Sequence, residues 1–389
     1  MKPKELKNYR THLFRDAAFF RKPERIPHLA SVVTWKVFDA GHTLDEALTD
    51  FDVMKECVVH FLDTYPVDSL LDTGIRNQFG VTEAFGTQGY YYYNKETLGI
   101  RDHAWCPLSD LEEYVAAPEK YIWEKALPNK YPDWYDKDLS VWNKTLAEYC
   151  KYIKFIISMG NLTGKYGVPG MAPNNPMNGA ITFGIEHLLS SLLGIKEMSI
   201  ALRRDKAKIK NFVDVWDSRH ITPLIEKIKS ASDGPDYKYC FDASILMLAQ
   251  NILNRSQFEE LYWEHLEPLL TVYAHKEKNA RIFTEGTVLQ YADFFSDIPK
   301  GAVTLHIEND DPFEVRKRIP NAAICGGLTA QLLSEASPEE CVARVKLLID
   351  ELGREGGFIL SEDKMLSYRN DARSENYKAV CDFVSGCIL

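Results

Sequence analysis

Three short strands in the C-terminal half each end on a side chain able to bind a metal: Glu285 in RIFTEG, His306 in VTLHIEN and Cys325 in AAICGG. Neighbouring strand ends in a parallel sheet lie about 5 Å apart, so such groups can meet at one ion without any local motif. Mixed carboxylate, imidazole and thiolate ligation suits zinc, and three protein ligands leave a position open for a substrate. Each residue also has a plainer reading. Cys325 can be a small buried hydrophobe, Glu285 a solvated turn carboxylate and His306 a hydrogen-bonded core histidine. The case for a site rests on their equivalent places on successive strands. Glu308 shares a strand face with His306 and is either an alternative ligand or the acceptor that orients the imidazole. Asp310 and Asp311 read as caps of the following DPFEVRKRI helix.

Candidates for the walls of a substrate pocket come from other loops. Trp35 and the run Tyr90 to Tyr93 are aromatic and can wall an apolar pocket, although alternation along a strand lets at most two of the four tyrosines face one site, with Tyr91 taken as a contact, and structural packing is the plainer role for most of them. Asn175, Met177 and Phe183 flank the loop in GMAPNNPMNGAITFG. Asp242 in CFDAS is read as the end of a strand, placed to orient a polar group or to cap a turn.

Such groups can converge only if strands and helices alternate, and the pattern says they do. DYKYCFDASIL, ARIFTEG, GAVTLHIEN, NAAICGGL and GGFILSED are short apolar runs, each followed by a helical segment. The longest of these segments is SQFEELYWEHLEPLLTVYAHKEKN, and SPEECVARVKLLIDELGRE opens on a Ser with Glu three residues later, a capping box. ITFGIEHLLSSLLG is helical and expected to stop at Gly194. GYYYYNKET reads as a hairpin, and residues 116–144 as an excursion from the regular scaffold. About eight strand and helix units without a linker predict one (β/α)8 barrel domain over residues 1–389, whose active site gathers where the strands end. An open doubly wound sheet is the alternative, but neither GxGxxG nor GxxxxGK[ST] occurs.

The 389 residues carry 56 acidic and 46 basic side chains, a net charge of -10, with the basic ones scattered. That excludes the clustered positive surface a nucleic acid requires. No apolar run reaches the length of a membrane span and the N-terminus lacks a signal-peptide pattern, so a cytoplasmic protein is expected. The eight cysteines, without a CxxC pair, are expected as reduced, mostly buried thiols.

From about residue 160 the order of features resembles the uroporphyrinogen decarboxylase superfamily. The resemblance is carried by NNPMNGAITFGIEHLLSSLL, FEELYWEHLEPLL, RIFTEG, AAICGGLTAQLLSEASPEECVARVKLLID and GGFILSEDKMLSYRNDARSENYKAV. It implies a TIM barrel and two functional branches. True decarboxylases hold a polycarboxylate with an arginine-rich RQAGRY-like segment, where this chain has RKPERIPHLASVVTWKVFDAG. The other branch holds zinc-dependent methyltransferases that work with a corrinoid (cobalamin) protein. Its His-x-Cys pair falls here on Phe283 and Glu285, and its last Cys on Cys325. The chain is more similar to the methyltransferases of O-demethylases, in which the resemblance implies zinc on glutamates and a histidine. Glu285 and His306 match the second half of that set, while its first Glu falls on Leu270, with Glu267 nearby. The resemblance thus implies methyl transfer from an aryl methyl ether to the Co(I) corrinoid of a partner protein. The alternatives are a decarboxylase of a smaller substrate, a methyltransferase with another donor or a thiol acceptor, and a barrel that only binds.

Overall fold

In the computed structural model, all residues are described except 75–77, 87–90, 94–97, 101, 133–138 and 174–180, together with the side chains of 91–93, 98 and 100. Seven parallel strands form one curled sheet. They are β1 (His28–Ala30), β2 (Ser69–Leu70), β5 (Ala243–Met247), β6 (Ala280–Thr284), β7 (Val303–Ile307), β8 (Ala323–Leu328) and β9 (Phe358–Glu362), in the order β2-β1-β9-β8-β7-β6-β5. Residues between β2 and β5 bring the two edges towards each other. Ser69 Oγ donates to the Pro169 carbonyl at 3.0 Å, Gly170 pairs in parallel with Tyr239, and Ile181 pairs in parallel with Ile245. The result is the α/β TIM-barrel architecture, with helices between successive strands. A separate antiparallel hairpin of β3 (Tyr91–Tyr93) and β4 (Leu98–Ile100) matches the one expected in the tyrosine run.

Strands β6 to β9 are buried along their whole length. A parallel strand packed on both faces loses the simple polar alternation of a half-exposed one, so these runs are largely apolar, and the polar residues they carry, among them Arg281, Thr304, His306 and Ser361, are buried as well. Polar caps then start the returning helices. Asp311 accepts from the amides of Phe313 and Glu314 (2.8 and 3.0 Å), and Ser337 and Glu340 form the expected capping box. Asp310 does not cap; it accepts from the Val288 amide at 2.6 Å.

The first helix, Pro3–Ala18, closes the N-terminal end of the barrel. Its Phe14 and Ala17 pack with Leu29, Cys240, Phe241, Cys325 and Ile359. Beside them the buried Arg15 forms a bidentate pair with Asp242, at 2.6 and 3.2 Å. Here the structure corrects the reading of Asp242. It stands before β5, not at its end, and also accepts the amides of Asp236 and Asn279, both at 2.9 Å. All its acceptor capacity is committed at the face opposite the strand ends, so it meets no substrate there.

The helix through ITFGIEHLLSSLLG ends at Gly194, at φ +73, as expected, and a second helix, Gly194–Arg204, follows. One further expectation is corrected. Trp35 is a core residue. Its indole N–H donates to the Ala372 carbonyl at 3.0 Å and its ring packs on Tyr65 and Tyr377. All eight cysteines are free, and only Cys150 is exposed. Among the described residues no helix is long and apolar enough to cross a membrane.

Candidate active site

Strand register sets the depth of each candidate. Phe283 pairs with His306, and His306 with Cys325, so these three occupy one layer of the barrel. Glu285 lies two residues beyond Phe283, one layer nearer the mouth and level with Glu308 on the next strand. The three sequence-derived ligands therefore fall in two layers.

The lower layer is fully committed. His306 is completely buried, with Arg281 Nη2 against its Nδ1 and the Glu362 carbonyl 3.1 Å from its Nε2. A carbonyl only accepts and a guanidinium only donates, so Nε2 carries the hydrogen and Nδ1 supplies the lone pair. Both nitrogens are thus used in a neutral ring. Burial first, and then the Arg281 charge, hold its pKa well below the ordinary value. Arg281 also donates from Nη1 to Ser244 Oγ at 3.1 Å, and Phe283 meets the imidazole edge to face. Cys325 is fully buried, and burial pushes its thiol up to about 12.

A zinc held by these two residues would need a free imidazole lone pair and a thiolate, and the Arg281 guanidinium beside them opposes a dication. His306 and Cys325 do not fit that role. Among the described residues no three His, Cys, Asp or Glu side chains stand together as a metal-binding group.

The upper layer is built of carboxylates. Glu285 is anchored through its backbone: its amide donates to the Met247 carbonyl at 3.0 Å, and its carbonyl accepts from Gln250 Nε2 and Asn251 Nδ2 at 2.7 and 2.5 Å. The next residue, Gly286, has φ +88, and an added Cβ would lie 2.3 Å from the Asn251 side chain. Only glycine allows this turn. Glu308 accepts the Gly286 amide at 2.5 Å, joining the ends of β6 and β7. The Glu285 carboxyl is thus held at the mouth, where burial, and then the charge of Glu308, raise its pKa.

Sequence reasoning missed a third carboxylate, Glu186, on the short helix Gly184–His187. Its Oε1 accepts the amides of Leu248 and Ala249 at 2.7 and 2.8 Å, just after β5, whereas Oε2 makes no hydrogen bond. The nearby Tyr262 hydroxyl donates to the Leu246 carbonyl at 3.2 Å. Complete burial lifts the Glu186 pKa to about 7, against its two amide donors, and the charge of Glu285 adds to the rise. The signal lay in ITFGIEHLLSSLL, where one Glu interrupts an apolar helix face. Glu267, the alternative to Leu270, is exposed on the helix Glu264–His275.

On the far side of the mouth, Lys36 donates to the carbonyls of Val32 and Val33 (3.1 and 2.5 Å) and lies 3.3 Å from Asp72 Oδ2. After β9, burial raises the Asp363 pKa to about 6. Asn175 and Met177 lie outside the described residues, as does the side chain of Tyr91.

Fold and site together define an α/β barrel whose strand ends carry buried and half-buried carboxylates above a buried Arg and His pair. A family profile described as uroporphyrinogen decarboxylase (URO-D) matches residues 179–385, more than half of the chain. The chain belongs to that family. Among solved structures, a methyltransferase from Methanosarcina mazei is similar over 97% of this chain and 98% of its own, with a TM-score of 0.59 and 14% identity, a likeness of fold. No curated protein matches the chain.

Proposed function

We propose that this protein transfers a methyl group from an aryl methyl ether to the Co(I) corrinoid of a partner protein, with Glu285 as the acid that protonates the departing phenolate. The observation that carries the reading is the carboxyl of Glu285, fixed at a strand end by its backbone and kept protonated more readily than usual by burial and by Glu308. Family membership and the whole-length fold likeness support a methyl-transferring barrel.

The chemistry asks for an acid at that place. A phenolate is a poor leaving group, since its conjugate acid ionises near pH 10. As the methyl carbon moves to the nucleophile, negative charge builds on the ether oxygen, and a proton from Glu285 leaves a neutral phenol. General acid catalysis of this kind contributes about 100- to 10,000-fold. The partner's Co(I) corrinoid supplies the nucleophile, so the barrel needs none of its own. Glu308 raises the proton affinity of Glu285, and the Gln250 and Asn251 contacts hold the loop. No step is assigned to zinc, because His306 and Cys325 are held by other groups.

The N-terminal arginines speak against a polycarboxylate substrate. Arg25 is paired with Asp68 at 2.7 and 2.5 Å, and Arg21 with Asp16 at 2.8 Å. Arg25 is thereby committed, and Arg21, half-exposed, lies before β1 beside Gly356, at the end of the barrel opposite the strand ends and so away from a substrate.

The test mixes the protein with a methoxyphenol and a Co(I) corrinoid, following methyl-cobalt formation by absorbance and the phenol by chromatography. Equal yields of both are expected, and Glu285→Gln should slow the reaction about 100-fold or more. Carbon dioxide release from an aryl carboxylic acid with no methyl transfer would refute the proposal.

A further inference from the structure

Two outer helices, Lys206–Lys229 and Glu264–His275, carry a line of titratable side chains that the reaction above does not use. Asp214 and Asp217 stand three residues apart on one face of the first helix, and His265 reaches between them from the second. Its Nε2 lies 3.5 Å from Asp214 Oδ1, and its Nδ1 lies 3.2 Å from Asp217 Oδ2. Exposure falls steadily along the line, from 47% for the Asp214 side chain to 17% for His265 and 4% for Asp217. At the outer end Asp214 opens on a surface groove of about 410 Å³, lined also by Lys206, Lys210, Asn211 and Glu260.

The inner end leads to the strand ends. Asp217 Oδ1 accepts the amide of Gly184 at 2.8 Å, and Gly184 is the first residue of the helix that bears Glu186. Glu186 in turn accepts the Leu248 amide, while the Glu285 amide donates to the Met247 carbonyl. That N–H and that C=O belong to one peptide unit, so a single planar group stands between the Glu186 carboxyl and the backbone of Glu285. Tyr262, one turn before His265, is raised well above its usual pKa by burial first and then by Glu186 and Asp217, so both carboxyls lie near its hydroxyl.

These groups are not fastened as structural ones are. His306 has both ring nitrogens bonded, whereas His265 Nε2, Asp217 Oδ2 and Glu186 Oε2 are buried without a hydrogen-bond partner among the described residues. Atoms left so lower stability, which calls for a reason other than packing. Their proton affinities also lie close together. Burial raises Asp217 to about 7, against the Gly184 amide and with the Asp214 charge adding to it, and Glu186 reaches about the same value. Burial lowers the His265 pKa, opposed by the charges of Asp214 and Glu264 and assisted by Lys210.

We propose that Asp214, His265 and Asp217 form a proton inlet through the barrel wall that refills Glu186, and through it Glu285, after each methyl transfer. The inlet rests on the reaction proposed above. There the bond from methyl carbon to ether oxygen breaks with its electron pair on oxygen, Co(I) supplies the pair of the new cobalt–carbon bond, and Glu285 gives one proton to the phenolate. Each turnover thus leaves Glu285 as a carboxylate and draws one proton from solvent. A corrinoid seated over the methyl group covers the mouth, and the outer groove gives a second way in. A proton arriving at Asp214 passes to His265 Nε2 while Nδ1 releases its own to Asp217, and a turn of the ring restores the first tautomer. From Asp217 the proton moves inward to Glu186 and Glu285.

Successive turnovers of the full-length protein with a methoxyphenol and excess Co(I) cobalamin test this. The variants are His265→Ala and Asp217→Asn, the second of which keeps an oxygen for the Gly184 amide. In both, the first turnover should keep the wild-type rate and later ones should slow about 10-fold or more, a burst that the wild type lacks. Imidazole in solution should restore the later turnovers of His265→Ala, which leaves room for it, and not those of Asp217→Asn. Wild-type rates throughout in both variants overturn the inlet, as does a first turnover slowed as much as the rest with no response to imidazole. If the wild type itself forms no methyl-cobalt, the reaction fails and the inlet with it, a result distinct from either.

Discussion

Replacing Glu186 with Gln should make the protein more stable at high pH relative to the wild type, and only there. The carboxyl is completely buried and its pKa rises from 4.5 to about 7 on folding. A group whose folded pKa lies above its unfolded one stabilises the fold fully below the unfolded value and loses that contribution as pH rises through the folded value. For Glu186 the window runs from 4.5 to about 7. At about 1.4 kcal/mol per pH unit, the burial of the charged form costs about 3 kcal/mol by about pH 8. Glutamine keeps an oxygen for the Leu248 and Ala249 amides but places an NH2 where Oε2 has no hydrogen-bond partner. That change shifts the mutant by a constant of about 1–3 kcal/mol. The constant cancels when the stability difference between mutant and wild type is compared across pH. Urea unfolding of both proteins at several pH values should show this difference moving in the mutant's favour by about 3 kcal/mol between pH 4.5 and about pH 8. A difference that stays flat would refute the burial of a titrating carboxyl there. Movement in the opposite sense would do so more strongly.

Other substitutions separate structural from chemical roles. Asp242→Ala strands the buried Arg15 guanidinium and should destabilise the protein by about 3–5 kcal/mol in denaturant unfolding, with KM unchanged in whatever remains folded. An altered KM with normal stability would return Asp242 to the substrate pocket. His306→Ala leaves Arg281 without its ring acceptor and should lower stability by about 1–3 kcal/mol, with the zinc content measured by mass spectrometry unchanged. Loss of one bound zinc on this substitution would instead make His306 a ligand. With a thiol reagent Cys150 should react at once in the native protein, whereas Cys325, buried and raised to about 12, should react only on unfolding.

The strand order from β6 to β9 was legible because each run is short, apolar and bounded by a turn or a capping residue. Depth within the barrel was not. The period of two tells which face a residue takes, but the level at which neighbouring strands align depends on register, and register placed Glu285 one layer above His306 and Cys325. Arg281 begins the run RIFTEG, and its reach into the barrel, where it takes the His306 lone pair, depends on tertiary packing that the sequence does not display. Asp242 was misplaced because CF before it and ASILM after it are both apolar, and a fully buried parallel strand lacks the alternation that would fix its start. Glu186 escaped notice because its partners are backbone amides more than 60 residues away. Trp35 could have faced a pocket or a core from its sequence context, and only its contacts with Tyr65, Ala372 and Tyr377 decide.

Delivery of a proton from Glu285 to the departing phenolate is the step on which the proposed reaction turns. Its direct test compares wild type and Glu285→Gln with a series of methyl ethers whose phenols differ in acidity, reading single-turnover formation of methyl-cobalt. With the wild type the rate should depend weakly on phenol acidity and fall as pH rises through the raised pKa of Glu285. With Glu285→Gln the fall should vanish, and the rate should depend steeply on phenol acidity, the most acidic phenols being affected least. Equal dependence on phenol acidity in the two proteins, with the same pH profile, would contradict the role of Glu285.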